Sequence, residues 1–378
     1  MSLRARGQDR PPDEHRCTIA REPEALIAVA SEWNALAVRS RSPFCTAEWL
    51  SAWWRAFGRG ELVCLTLRDR GGPLRAGAVL MRTAHGRLEA AANDHSGSWD
   101  VVAADAAARA ELWRALLAIG ARQIVLRALP AEPTAGASAA ELLAGAGYRV
   151  VDEPGPFSPF LGLPERFENL LAQRSANLRS QLGRKRRALE GNGALVFRTT
   201  TGGEALERDL EAIFRVEASG WKSDQGTSIL TDPGSERLYR EFAHAAARHG
   251  WLRLHLLELD GVTIAGDYAC SFAGGGHLIK TGYDERWSRF SPGLLLREAV
   301  LRAAVEERLE FYDFLGGPEH YKLRWTDHER PRTTLRGYRG VRSLPALVYR
   351  ARVRPTVKRL RSRLKPGPAR RGPGRARR

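Results

Sequence analysis

Hydrophobic positions along this chain switch between two spacings. Where they recur every three or four residues they predict helices, and where they alternate they predict strands. In the first half, helical spacing appears near 22–38 and again across 42–57, where Phe44, Trp49, Trp53 and Phe57 fall on one stripe behind Thr46, a residue suited to capping. The aromatic stripe reads as core rather than as a ligand platform. Strands are predicted at 61–68 and 74–84, with Asp69-Arg-Gly-Gly-Pro73 as the turn between them, and at 87–92. The polar loop Asn93–Asp100 then leads to a helix at 105–119 and a strand at 122–128. An Ala-rich helix at 137–146 and strands at 148–152 and 158–163 close this half.

The second half repeats that order. Helices at 165–190 lead to a strand at 194–200, and helices follow at 203–221 and 234–249. Strands at 251–259, 262–272 and 276–283 come next, the first two joined by Asp260-Gly261. A helix at 293–309, a strand at 310–315, a short helix at 319–325 and a strand at 334–340 complete the pattern. Both halves read helix, antiparallel strands, helix, strand, which points to two copies of one unit with mixed sheets flanked by helices, an α+β fold. At 378 residues the chain is too long for one small core, in keeping with two domains.

Composition changes this picture only at the ends. The net charge is +17, but from Ser343 onward there are thirteen Lys/Arg and no Asp/Glu, so most of the excess belongs to the tail. Residues 343–378 form this basic tail. Its last part, 365–378, is built of Arg, Lys, Pro, Gly and Ala, and is expected to be disordered, as are residues 1–15. Such a tail either solubilises the chain or contacts nucleic acid or an anionic membrane surface. Cys17, Cys45, Cys64 and Cys270 are scattered without metal or redox spacing and read as free thiols; no metal site is expected. No run approaches the ~20 apolar residues of a membrane span, and the N-terminal stretch lacks the apolar segment of a signal peptide. A cytoplasmic protein without a transmembrane segment is expected.

Candidate chemistry concentrates in the second half. Phe311–Leu315 is a short apolar strand that runs into Gly316-Gly-Pro318 and then into Glu319, His320, Tyr321, Lys322, Arg324 and Trp325. A tight turn after a strand presents polar groups at a sheet end, where ligand sites of α/β folds lie. Asp313 and His320 are secondary candidates. On strand 262–272, Asp267 shares a face with Thr263, Ala265, Ala269 and Ser271. It either binds an amine or pairs with an arginine. Ser291-Pro-Gly293 suits a helix start, whose unpaired N–H groups favour a diphosphate, with Arg289 close by; the alternative is a plain cap. Glu217 ends a helix with an apolar face, and is a general base if burial raises its pKa. After Gly220, Trp221 can stack on a ring and Lys222 can neutralise an anion, or the pair is a helix end with a snorkelling lysine. Residues 174–187 carry Arg174, Arg179, Arg184, Lys185, Arg186 and Arg187 with no acid, a face either solvated or able to grip a phosphate backbone or an acidic carrier.

Four of these segments occur in an order that is specific. Glu217-Ala-Ser-Gly-Trp-Lys222 with Gly226-Thr227, Lys280-Thr-Gly-Tyr-Asp284, Ser291-Pro-Gly-Leu-Leu295, and Asp313–Gly317 running to Tyr321-Lys322 and Trp325 resemble the GNAT-like acetyltransferases associated with cellulose-type polysaccharide biosynthesis (the BioF2-like acetyltransferase domain). These are relatives of the Fem-type aminoacyl-tRNA peptidyltransferases. The resemblance covers roughly 165–330, and is weaker over Phe44–Trp54 and Asp94–Asp100. It implies two tandem GNAT-like modules, a degenerate one at 16–160 and an acyltransferase module at 161–342. It further implies transfer from acyl-CoA or an acyl carrier protein to a small-molecule amine, on a sugar, nucleotide sugar or amino-acid-like acceptor. In this reading Tyr321 is the acid for the leaving group, Lys322 an oxyanion or phosphate partner, and Asp267, Glu217 and Asp313 are the candidate carboxylates. Ser291, Pro292, Gly293 and Arg289 would hold the donor, while Trp221, Lys222, Lys280, Tyr283 and His320 would face the acceptor. The usual glycine-rich diphosphate loop of GNAT enzymes is replaced here by Ser291-Pro-Gly293 alone, so an acyl carrier protein or an aminoacyl-tRNA donor on the basic 174–187 face, and a non-catalytic binding module, stay open.

Overall fold

The computed structural model describes residues 15–131, 136–155, 157–219 and 228–340. The terminal segments, and with them the basic tail, lie outside the described residues. So do Trp221, Lys222, Gly226 and Thr227.

The first half contains β1 (His15–Ala20), α1 (Glu24–Ala28), α2 (Ala30–Ala37), α3 (Ala47–Phe57), β2 (Glu61–Asp69), β3 (Leu74–Arg82) and β4 (Leu88–Ala90). It continues with β5 (Val102–Ala103), α4 (Ala106–Ala118), β6 (Gln123–Pro130), α5 (Ala139–Gly145) and β7 (Arg149–Pro154). After β8 (Ser158–Gly162) come α6 (Phe167–Ala172), α7 (Ala176–Glu190), β9 (Leu195–Thr200), α8 (Leu206–Glu217) and α9 (Pro233–Arg248). Then follow β10 (Leu252–Leu259), β11 (Val262–Phe272), β12 (Gly275–Tyr283), α10 (Pro292–Glu306), β13 (Phe311–Asp313), α11 (His320–Leu323), β14 (Glu329–Arg330) and β15 (Arg332–Tyr338).

Two mixed sheets result. One has the order β1-β2-β3-β4-β6-β15-β7, with β5 also on β3; the other has the order β14-β8-β13-β12-β11-β10-β9. Each contains one parallel pair, β4 with β6 and β12 with β13, joined through a helical crossover (α4 or α10) as parallel pairing requires. The backbone repeats in detail. Four residues past Ile124, which pairs with Leu88, Ala128 takes a left-handed φ of 55°; four past Phe311, which pairs with Gly275, Leu315 takes 51°. The expected α+β fold, two mixed sheets flanked by helices, is therefore present.

Two strands leave the half in which they were expected. The strand predicted at 334–340 to complete the second half is β15, and it lies between β6 and β7 of the first sheet. The strand predicted at 158–163 in the first half is β8, and it pairs with β13 and β14 of the second. The sheets thus exchange equivalent strands, and the expected module boundary at 160 falls within β8. Alternation alone predicts a strand but not its partner. The opening strand β1, paired with β2, was hidden because it is mostly exposed and has no buried face.

The aromatic stripe is core, as its spacing suggests. Thr46 Oγ1 accepts from the Trp49 N–H at 3.3 Å to start α3. Trp49 meets Phe44 at 4.6 Å and Phe242 of α9 at 4.9 Å, edge to face, so this core joins the two halves. A second core under α6, α7 and α10 covers the other face of the second sheet and ends on fully buried Trp325. Gly282 of β12 lets α8 settle on the sheet: a Cβ there would stand 2.3 Å from the Glu217 Cα.

Candidate active site

β12 and β13 pair only over Gly275–His277 and Phe311–Asp313. Beyond that β12 runs on to Tyr283 while the other chain turns off through Leu315 and Gly316, both left-handed. Between them and the first half lies a cavity of about 420 Å³, lined by Ile279, Lys280, Leu315 and Gly316 on one side, by Asn93–Gly97 with Arg127 on the other, and by Tyr239 of α9. Gly97 permits this close approach, since a Cβ there would lie 2.5 Å from Phe44 and 2.9 Å from Leu315. In the first sheet the corresponding gap is filled by the chain itself. There β5 lies along β3, the Trp99 N–H donates to the Ala128 carbonyl at 3.0 Å, and the buried Trp99 indole donates to the Val79 carbonyl at 3.0 Å. Among the described residues, only the second sheet keeps its opening.

Asp267 is fully buried and faces Arg297 of α10, Nη1 to Oδ2 2.8 Å, with the guanidinium itself 2% exposed. Of the two readings of Asp267, the arginine pair is the one present, and the carboxylate does not reach the cavity wall. Arg297 also donates to the Tyr312 hydroxyl at 3.2 Å. Tyr321, on α11, is 38% exposed and is not among the residues that line the cavity. Local burial raises its pKa and the nearby Arg297 charge only partly offsets this, so the phenol stays protonated at neutral pH.

Lys322 does not point into the opening. Its ammonium is buried and donates to the carbonyls of Leu315 (2.6 Å) and Gly317 (3.3 Å), with Glu319 Oε2 at 2.6 Å. Burial lowers its pKa, and the Glu319 carboxylate opposes that shift. It is a clamp on the turn that lines the cavity. Asp313 is likewise buried: it accepts from Ser158, from the Leu315 N–H at 2.9 Å, and from Arg332 at 3.4 Å, tying β8, β13 and β15 together. Glu217 accepts from the Ile229 N–H at 3.0 Å and is 1% exposed. Lys322, Asp313, Glu217 and Asp267 are thus all buried charges with partners, and buried charge and catalytic charge use the same residue types.

At the start of α10, Ser291 has φ 56° and its side chain makes no capping bond, contrary to the expectation of a serine cap; Pro292 and Gly293 follow beside Tyr283. The first turn therefore has no side-chain acceptor on its amides. Tyr283 is half-buried, with its pKa raised by burial and then by Glu285. Arg289 is exposed over the Phe290 ring at 4.5 Å, and its carbonyl accepts from Lys185 of α7. The basic run is partly spent inside the fold: Arg186 pairs with Glu298 at 2.9 Å, and Arg174 and Arg179 donate to backbone carbonyls. His320 is exposed at the start of α11. Of the expected acceptor-facing residues, Lys280 reaches the cavity, its ammonium 5.5 Å above the Tyr239 ring.

Three residues escaped the sequence reading. Arg297 carried a signal, an arginine that with Glu298 interrupts the otherwise apolar stretch Leu294–Leu301. His95 and Tyr239 come from different halves and had none. Yet they meet at the cavity, His95 Nδ1 to Tyr239 Oη 2.9 Å. Burial, followed by the Lys280 charge, lowers the His95 pKa to about 4, so the imidazole is neutral.

The sequence model of the acetyltransferase (GNAT) domain family matches residues 176–323, which contain the opening, α10 and α11. Among curated proteins no sequence matches this one. Solved structures share the fold. FemX is 13% identical, with 84% of this chain and 98% of that chain covered at a TM-score of 0.57. L-PGS from Bacillus licheniformis is 13% identical, with 91% and 97% covered at a TM-score of 0.51. Residues 176–323 therefore match an acetyltransferase (GNAT) domain, set in a two-sheet α+β chain that shares its fold with FemX.

Proposed function

We propose that this protein is an N-acyltransferase that moves an acyl group from a thioester donor, acyl-CoA or an acyl carrier protein, to an amine held in the cavity between the two halves. The amine belongs to a sugar, nucleotide-sugar or amino-acid-like acceptor of the kind used in polysaccharide or cell-envelope synthesis. One observation carries the reading: β12 and β13 part after His277, and the opening leads straight into that cavity while its counterpart in the first sheet is filled. The uncapped first turn of α10, with Arg289 and Lys185 beside it, supports a phosphate-bearing donor there. Direct transfer needs an acid for the departing thiolate, and the protonated phenol of Tyr321, partly exposed on α11 a few residues after the turn that lines the cavity, suits that role. Lys322 acts by fixing the 315–317 turn rather than by touching the carbonyl. Among the described residues no helix is long and apolar enough to cross a membrane.

A second reading takes an aminoacyl-tRNA as donor. It is favoured by α7, whose basic run abuts the start of α10, and by the fold shared with FemX and L-PGS. The deciding experiment incubates the full chain with acetyl-CoA, longer acyl-CoAs, acyl carrier proteins and aminoacyl-tRNAs against an amine panel, with products read by mass spectrometry. Transfer from a thioester, resistant to ribonuclease and reduced about 100-fold in kcat by Tyr321→Phe, supports the first reading. Ribonuclease-sensitive transfer selects the second. No transfer from any donor removes both.

A further inference from the structure

We infer that Tyr239, His95, Ser235 and Asp232 form a proton path that drains the acceptor amine in the inter-half cavity to the protein surface. The inference rests on the acyl-transfer reading above and adds to it the residues that handle the amine proton.

The path is continuous. Tyr239 Oη lies 2.9 Å from His95 Nδ1, His95 Nε2 lies 3.0 Å from Ser235 Oγ, and Ser235 Oγ lies 2.7 Å from Asp232 Oδ2. Its polarity is fixed from one end. Asp232 caps α9, accepting from the Gly234 and Ser235 N–H groups at 3.2 and 3.1 Å. The Ser235 hydroxyl bond to it, reinforced by those amides, holds its carboxyl below the usual range and therefore ionised. The Ser235 hydroxyl must then donate to Asp232 and accept from His95, which places the imidazole proton on Nε2. Nδ1 is left as an acceptor, and the Tyr239 hydroxyl donates to it. The Tyr239 oxygen keeps a lone pair for a donor in the cavity.

His95 and Tyr239 lie in the cavity wall, with Tyr239 fully buried there, Ser235 is buried, and Asp232 is exposed, so the path runs from the cavity wall to water. As the amine attacks a carbonyl its nitrogen becomes acidic. Its N–H bond breaks as a new O–H bond forms on Tyr239. The Tyr239 proton moves to His95 Nδ1, the Nε2 proton to Ser235 Oγ, and the serine proton to Asp232, from which water removes it. One proton leaves the amine and one arrives at the surface; the relay leaves His95 in the Nδ1–H form, and proton exchange with water in the emptied cavity returns it to Nε2–H while the hydroxyls turn back. The groups facing His95 are Lys280 from β12, Asp94 from its own loop, Asp232 ahead of α9 and Glu217 at the end of α8, with the Phe57 ring stacked at 5.2 Å.

The test uses the full chain in two arms. In the first, 15N-histidine NMR, with the His95 signal assigned by its loss in His95→Gln, reports the tautomer. The Nε2–H form with no protonation above pH 5 is expected; the Nδ1–H form overturns the path whether or not any substrate is found. In the second, the donor and amine that react in the panel above are followed in Tyr239→Phe and Ser235→Ala, with circular dichroism confirming the fold. Tyr239→Phe should lower kcat about 100-fold with KM changed less than threefold, and Ser235→Ala about tenfold, both losses shrinking as pH rises and hydroxide takes the amine proton instead. Rates within twofold of the parent with an unchanged pH profile overturn the path while leaving acyl transfer intact. Absence of turnover in the parent defeats the transfer reading and the path's role with it.

Discussion

The guanidinium of Arg297 sits in an apolar helix face and is held by the Asp267 carboxylate at 2.8 Å, both without access to water. Removing one partner of such a pair strands the other charge, whereas replacing both by apolar groups of similar size does not. Arg297→Met should therefore cost about 3–5 kcal/mol of unfolding free energy, and Arg297→Met with Asp267→Leu should recover most of that loss. Urea denaturation of the two variants and the Asp267→Leu single variant closes the cycle. This pair also shows what the sequence could and could not reveal. Alternation along 262–272 placed Asp267 on the small-residue face and left two meanings open. Nothing local to residue 267 names a partner on the next helix. For His95 and Tyr239 the separation is wider still, and their meeting depends on how the two halves pack.

At the level of elements, periodicity was informative wherever a face is buried. The helices over 165–190, 203–221, 234–249 and 293–309 and the three long strands of the second sheet stand within a few residues of their predicted spans, although the first of these is two helices rather than one. Elements without a buried face were lost, as β1 was, and sheet membership was misread for β8 and β15 because hydrogen-bonding partners leave no trace in alternation. Close packing of one element on another leaves a clearer mark, in glycine. Gly282 admits the end of α8 against β12, so Gly282→Ala should force the helix away at a cost of about 1–3 kcal/mol. Thermal melting checks the loss, and amide exchange at Glu217 and Ala218 should accelerate if the helix end is what moves.

Across the whole molecule, buried histidines set the response to acid. Burial, then the Arg297 charge, lowers the pKa of His255 to about 3; burial lowers that of His277 to about 4, with Asp313 opposing. Both rings are neutral in both states above the unfolded value of about 6.5. As pH falls below it, the unfolded chain takes up protons that the native chain refuses until pH 3–4, so stability declines with falling pH by up to about 1.4 kcal/mol per unit for each ring. The melting temperature should drop between pH 6.5 and 4, and His255→Gln should flatten that slope; a profile unaffected by the substitution would rule out the assignment.

The exchange of β8 and β15 has a consequence in time. A ribosome finishes β7 well before it makes β15, the strand that belongs between β7 and β6. At ordinary rates of synthesis the intervening stretch of roughly 180 residues takes on the order of 10–40 s. Throughout that interval the nascent first half carries two raw strand edges that only the last strand of the described chain can close. Newborn polypeptide should therefore be held by chaperones until Tyr338 has cleared the exit tunnel, and stalled-ribosome force measurements should register folding of the first half only at that length.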